Sequence, residues 1–136
     1  MIQRAIKKIL MDKVPDLEWT VDYHTAQSEF GVVYYDGGYP PDRSDMKSHL
    51  MNYQVEIRSK DFDKTVNRAF DCYNAIHGIT NQIMKVPIYE DGSLIRTDKH
   101  FTQYIYAESP PIRVGVINDN MIYTINFLAL ILPYCK

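Results

Sequence analysis

Two segments of the chain place apolar residues at helical spacing. The first covers residues 2–13 and ends before Pro15, and its apolar stripe consists of Ile2, Ala5, Ile6, Ile9 and Leu10. The second covers residues 61–77, where Asp61 is a suitable N-cap and Gly78 follows the last helical position. Its predicted buried face consists of Phe62, Val66, Ala69, Phe70, Tyr73 and Ile76. We therefore expect two principal helices.

Apolar and polar residues alternate in most of the remaining chain, which predicts strands. The clearest strand covers residues 49–59, where four apolar side chains, Met51, Tyr53, Val55 and Ile57, alternate with polar ones. Further strands are predicted at residues 29–35, 101–107, 112–116 and 121–132. After Phe127 the last strand is apolar on both faces, so we expect both to be covered, by a helix or by another subunit, and we favour the helix.

The order helix, strand pair, helix, strands predicts an α+β fold. We expect a mainly antiparallel sheet with two principal helices packed on one face and a protruding hairpin. The 136 residues fit a single domain, residues 1–136.

Two stretches interrupt the regular pattern. Residues 36–45 contain two glycines and two prolines, which predicts a long irregular connection at the tip of the protruding hairpin. Residues 80–100 are loosely patterned, and their role stays open. Within them, Asp91-Gly92 is a hairpin signal, and Pro87 would restrict its strand to a sheet edge.

Charge and composition argue against several classes of partner. The net charge is −2 and no block of Lys and Arg runs along the chain, so tight binding to phosphate backbones is not indicated. The longest apolar run is too short to span a bilayer, so we expect no membrane partner and a soluble protein that is cytoplasmic at synthesis. Cys72 and Cys135 lie far apart and form no metal or redox motif.

No grouping of residues predicts catalysis. The histidines His24, His49, His77 and His100 do not pair at the spacing of metal ligands, so we expect no metal and no cofactor. Nucleophile motifs and phosphate-binding loops are absent. Capping and turn formation explain the paired carboxylates Asp61/Asp63 and Glu90/Asp91. The sequence therefore favours a structural subunit without an active site over an enzyme.

Two segments resemble the tail terminator (minor capsid, tail-completion) proteins of long-tailed bacteriophages. One is the strand of residues 53–58 that feeds the helix ending in Tyr73-Asn74-Ala75-Ile76-His77-Gly78. The other runs from Ser109-Pro110-Pro111 through Gly115 and the turn Asn118-Asp119-Asn120 into Tyr123-Thr124-Ile125-Asn126-Phe127. The N-terminal helix also lies where that family has one.

The resemblance implies a virion protein that lies in the host cytoplasm during assembly and at the head–tail junction of the finished particle. Its members form a hexameric ring that caps the tail tube, ends tail polymerisation and offers a surface to the head connector, with DNA only in transit through the lumen. By position, the resemblance places contacts with a neighbouring subunit or the tail tube at Tyr34, Tyr35, Tyr39 and Arg43. A head-side connector or completion protein, and a small ligand-binding α+β domain, are the alternatives.

Overall fold

A computed structural model describes residues 2–22, 29–40 and 48–133. Of Pro133 it describes only the backbone. The elements follow the chain as α1 (Gln3–Lys13), β1 (Glu18–Val21), β2 (Phe30–Gly38), β3 (His49–Ser59), α2 (Phe62–Ile76), β4 (Ile79–Glu90), β5 (Ser93–Ala107), β6 (Ile112–Ile117) and β7 (Asn120–Pro133). The fold is α+β, as predicted.

All described strands join one mixed sheet. Its order is β1-β2-β3-β7-β5-β4, and β6 also pairs with β7. The β1–β2 pairing is parallel and the other five pairings are antiparallel. Because β3 occupies one side of β7, β5 and β6 share the other side, β6 along Asn120–Thr124 and β5 along Phe127–Pro133. This leaves β1, β4 and β6 at sheet edges.

The core lies where the helices meet alternate residues of β3 and β7. Ile6 and Leu10 of α1 and Ala69 and Ile76 of α2 are fully buried in the same cluster as the inner side chains of the two strands, Met51, Tyr53, Val55, Ile57, Ile125, Phe127, Ala129 and Ile131. The backbone N–H of Ile2 donates to the Tyr53 hydroxyl at 3.1 Å, which ties the start of α1 to β3. Burial raises the pKa of that hydroxyl.

The buried face of α2 is rotated from the predicted one. Thr65, Ala69, Cys72 and Ile76 are buried, whereas Phe62 and Phe70 are exposed. The reason is that the small residues let α2 approach the sheet closely, and the two phenyl rings then fall on the solvent side. The predicted ends of the helix are confirmed, since the Asp61 carboxylate accepts a hydrogen bond from the Lys64 N–H at 3.2 Å and Gly78 has a φ of +89°.

The predicted irregular connection begins later than expected. Asp36, Gly37 and Gly38 belong to β2, and the ladder with β3 reaches Gly38 opposite Met51 after a register shift. A Cβ on Gly38 would lie 2.6 Å from the Leu50 carbonyl oxygen, so the close approach of the two strands requires glycine there. Residues 41–45 of the predicted connection lie outside the described residues.

Residues 80–100 form most of a long hairpin, with one register shift between Ile88 and Tyr89, instead of a loose insert. β4 and β5 pair from Ile79–Ile105 to Glu90–Ser93, and Asp91 and Gly92 take positive φ in the turn between them. The predictions of a turn at Asp91-Gly92 and of an edge strand at Pro87 are both confirmed. The pattern looked loose because much of this hairpin is exposed on both faces, so burial does not impose alternation.

The last strand is central in the sheet, but its apolar second half is not covered as expected. Ala129 and Ile131 belong to the core cluster, whereas Leu128, Leu130 and Leu132 are half-buried and stand on the other face. In the ladder with β5 they lie opposite Tyr106, Tyr104 and Phe101, in that order. In the ladder with β3, Leu128 lies opposite Asn52 and Leu130 opposite Leu50. The prediction that a helix covers both apolar faces of this strand is therefore wrong for the face that carries Leu128, Leu130 and Leu132.

Candidate assembly surfaces

Reactive side chains are dispersed over the described part of the chain. No three His, Cys, Asp or Glu side chains there are grouped so that they could hold a metal ion. His77 is exposed, stacks on Tyr73 with ring centroids 5.0 Å apart, and its Nδ1 accepts from the Ala107 N–H at 2.9 Å. Burial lowers the pKa of His100 and raises that of the Cys72 thiol, which lies in the core. These groups serve the fold.

The three predicted contact tyrosines that the structure describes do not share one face. Tyr34 points away from the core cluster, and its hydroxyl donates to Glu56 Oε2 at 3.4 Å. Burial, together with Glu56, raises the pKa of Tyr34. Tyr35 points to the opposite face, with its ring centroid 5.7 Å from that of the buried Tyr53.

Tyr39 follows the end of β2 and is 54% exposed. Its N–H donates to the Leu50 carbonyl at 2.9 Å, so the backbone is held while the ring stays in solvent. Arg43, the fourth predicted contact residue, lies outside the described residues. A contact role for Tyr34, Tyr35, Tyr39 and Arg43 stays a prediction.

The most apolar exposed edge lies elsewhere, on β6. Its four large apolar side chains are between 45% and 54% exposed, and they are Ile112, Val114, Val116 and Ile117. We call these four residues the apolar edge. Alternation in residues 112–116 predicted a strand, and the strand is confirmed, but the pattern did not indicate that both of its faces are exposed.

The geometry of β6 explains this exposure. The strand is short, Ser109-Pro110-Pro111 precedes it, and Asn118 and Asp119 take positive φ in the tight turn to β7, as predicted. A register shift between Arg113 and Gly115 bends the strand. Such a bulge disfavours the addition of a further strand, so the apolar edge is suited to contacts through side chains.

A second exposed apolar surface is the far end of the β4–β5 hairpin. Among the described residues, β5 pairs with β7 only from His100 onwards, so residues 85–99 extend beyond the end of β7. We call residues 85–99 the distal hairpin. It presents Tyr89, Leu94 and Ile95, each about half exposed, near its turn. Asp91-Gly92 was the sequence signal that could have identified this projection.

A polar network covers part of the face opposite the helices. Gln54 Nε2 donates to Asn126 Oδ1 at 3.0 Å, and the Arg58 guanidinium lies 5.2 Å from the centroid of the Phe30 ring. Arg58 and Glu56 also form an ion pair at 3.8 Å. These contacts occupy one half of the face, where the buried Asn52 Oδ1 and Arg58 Nε have no hydrogen-bond partner among the described residues, and the leucines of β7 occupy the other half.

Neither described helix is long and apolar enough to cross a membrane. No family model matches the chain. No curated protein sequence matches it either. Among solved structures, the chain is similar to a chain in the virion of a native gene transfer agent particle, with a TM-score of 0.60 and 14% identity over 96% of this chain and 94% of that one. The likeness establishes a shared fold over nearly the whole length of both chains.

Proposed function

We propose that this protein is a structural virion subunit that assembles into a closed ring, caps the tail tube of a phage-like particle and presents the ring to the head connector. The observation that carries the proposal is the apolar edge, because four large apolar side chains stand exposed on a strand with no neighbour on its outer side in the described sheet. The fold shared with a chain of a gene transfer agent virion supports a place in a virion.

The ring contact joins two different surfaces of the chain. The apolar edge and the Leu94 and Ile95 side chains near the turn of the distal hairpin are both exposed and apolar. The apolar edge lies on the edge strand β6, and the distal hairpin extends beyond the described end of β7. A contact between one copy's distal hairpin and the next copy's apolar edge is heterologous, so repeated copies close into a ring if the rotation between them divides a full turn. A hexamer, as the family resemblance implies, requires a rotation of about 60° per copy.

The contact is tested with lysine substitutions on the apolar edge. Val114→Lys with Val116→Lys should leave a folded monomer, because lysine is tolerated on edge strands but opposes apolar association. Phe62→Lys with Phe70→Lys is the matched control, since it replaces two similarly exposed apolar side chains on α2. Native mass spectrometry and negative-stain imaging should show rings for the unmodified protein and the control, and monomers for the edge variant, with unchanged circular dichroism.

Mixing variants tests whether the contact is heterologous. The distal hairpin variant Leu94→Lys with Ile95→Lys should also be monomeric alone. Mixed with the edge variant, it should give a heterodimer and no ring, because one intact hairpin still meets one intact edge. An unmodified protein that stays monomeric at high concentration and in the presence of tail tubes would overturn the ring proposal.

The position in the particle is tested separately. Capture of the tail tube protein of the same genome by the immobilised ring is the expected result. Capture of the portal protein alone would assign the chain to the head-side connector instead, and the ring contact would stand.

A further inference from the structure

Four basic side chains gather around one groove between α1 and the distal hairpin. The groove has a volume of about 300 Å³, and it is lined by Arg4, Lys7 and Lys8 from α1 and by Lys85 from β4. Positions 4, 7 and 8 are three and four residues apart, so they share one face of the helix. We call this the cationic groove.

The lining of the cationic groove contains no carboxylate. None of its four cations forms an ion pair within the described parts of the chain, whereas Arg58, Lys64, Arg68 and Arg96 do elsewhere. Asp22 lines the adjoining groove beyond Arg4 and keeps its negative charge there, because the groups that donate to its two oxygens, the Tyr35 N–H at 2.9 Å and Gln3 Nε2 at 3.2 Å, are neutral. Within the lining of the cationic groove itself, the four positive charges have no carboxylate beside them, in a chain whose net charge is −2.

Arg4 is held in place by an aromatic ring. Its guanidinium carbon lies 5.1 Å from the centroid of the Tyr89 ring, within the range of a cation–π contact. Tyr89 and Pro87, which also line the groove, give it a stiff wall on the hairpin side. The groove is thus a shaped surface, built by two elements far apart in sequence.

We propose that the cationic groove binds the phosphate backbone of duplex DNA. Duplex DNA carries one negative charge per about 1.7 Å of its axis, so several phosphates can meet the four cations together. The groove offers flexible lysine charges, an arginine, a proline–tyrosine wall and the apolar side chains of Ala5 and Met11. Its cations can contact phosphates without reading bases. Binding is weak, independent of sequence and strongly salt-dependent, which lets DNA slide past. The proposal does not depend on ring formation, because one chain supplies the whole groove.

The test uses fluorescence anisotropy of a labelled 30-base-pair duplex with the full chain. Four phosphate contacts predict that the logarithm of the binding constant falls with the logarithm of salt concentration at a slope of about −3.6, roughly a 100-fold loss between 50 and 200 mM. Lys7→Gln with Lys85→Gln should reduce the slope to about −1.8 and weaken binding at 50 mM salt at least 10-fold.

Lys13→Gln with Lys60→Gln is the matched control. It removes the same two positive charges from exposed sites outside the groove lining, so an effect of net charge alone would weaken both variants equally. Equal weakening, or no binding by the unmodified protein at 50 mM salt, would overturn the proposal. Displacement of DNA by poly-glutamate at a lower charge concentration than by unlabelled DNA would also overturn it, and would assign the groove to an acidic protein segment.

Discussion

β3 and β6 carry the same alternating pattern but lie in opposite environments. Ile57 of β3 is fully buried, whereas Ile112 of β6 is 46% exposed. β3 is flanked by β2 and β7 and lies in the core cluster with both helices, while β6 has a neighbour on one side only. The difference teaches that alternation defines a strand, whereas the neighbours of the strand decide whether its apolar side chains stabilise the fold or remain free for a partner.

Truncating one isoleucine in β3 and one in β6 should give the largest difference in the free energy of unfolding. Ile57→Ala removes a fully buried side chain and should lower the free energy of unfolding by about 2–5 kcal/mol. Ile112→Ala should change it by no more than about 0.5 kcal/mol in the monomer, because the side chain is already largely in solvent. Urea unfolding of monomeric protein measures both, and equal losses would show that the edge is part of the core.

Gly31 of β2 gives a second comparison between a buried strand and the exposed β6, with an intermediate expected loss in the free energy of unfolding. A Cβ at this residue of β2 would lie 2.4–2.7 Å from atoms of the Trp19 ring, and that ring is fixed by its Nε1–H donating to the Val14 carbonyl at 2.9 Å. Gly31→Ala should therefore cost about 1–3 kcal/mol through overpacking. A Cβ at Gly115 of β6 would meet nothing within 4 Å, although its φ of +144° strains any other residue.

A double-mutant cycle isolates the packing term. In a Trp19→Leu background the ring is absent, so Gly31→Ala should cost measurably less than in the unmodified protein. If the losses from Gly31→Ala and Trp19→Leu are simply additive, contact with the Trp19 ring is not the cause of the loss in Gly31→Ala.

Removing one of the exposed charges near α2 should give the smallest loss in the free energy of unfolding. Burial acts to raise the pKa of Asp16, but the Arg68 hydrogen bond and the charges of Arg68 and Lys64 outweigh it, so the pKa lies below its ordinary value of 3.8. A lowered pKa stabilises the fold above pH 3.8, and this contribution is lost as the pH falls through the lowered value. Because the pair is partly solvated, Arg68→Gln should cost at most about 1 kcal/mol at pH 7.

Urea unfolding at several pH values tests this assignment. The difference between Arg68→Gln and the unmodified protein should shrink as the pH falls below 3.8. A difference that stays constant down to pH 2 would show that Arg68 acts through packing of its stem and not through the Asp16 carboxylate.

Several features of the fold could be predicted because their signals are local. The ends of α2, the turn at Asp91-Gly92 and the turn at Asn118-Asp119 depend on a few neighbouring residues, and the structure has all three. The buried face of α2 was misjudged, because Phe62 and Phe70 were counted as core for their hydrophobicity while Thr65 and Cys72 fill the contact with the sheet. Hydrophobicity alone does not reveal which side of a helix lies close to its neighbour.

The candidate surfaces were the least accessible to sequence reasoning. Residues 80–100 are loosely patterned, yet they form a long hairpin, and Tyr34 and Tyr35, two of the predicted contact residues, lie on opposite faces of β2. The prolines and glycines of residues 36–45 predicted a protruding tip, of which residues 41–45 lie outside the described residues.

The sequence by itself determined the two helices, most of the strands outside residues 80–100, two of the tight turns and the α+β class, because these follow from the spacing of side chains along a local backbone. Only the tertiary structure decided that β6 is left at an edge and that Lys85 joins Arg4, Lys7 and Lys8 around one groove. The physical reason is that exposure and electrostatic potential depend on distances between side chains that are remote in sequence. The net charge of −2 is a sum over the whole chain, whereas a bound ligand interacts with the electrostatic potential of the charges nearest to it.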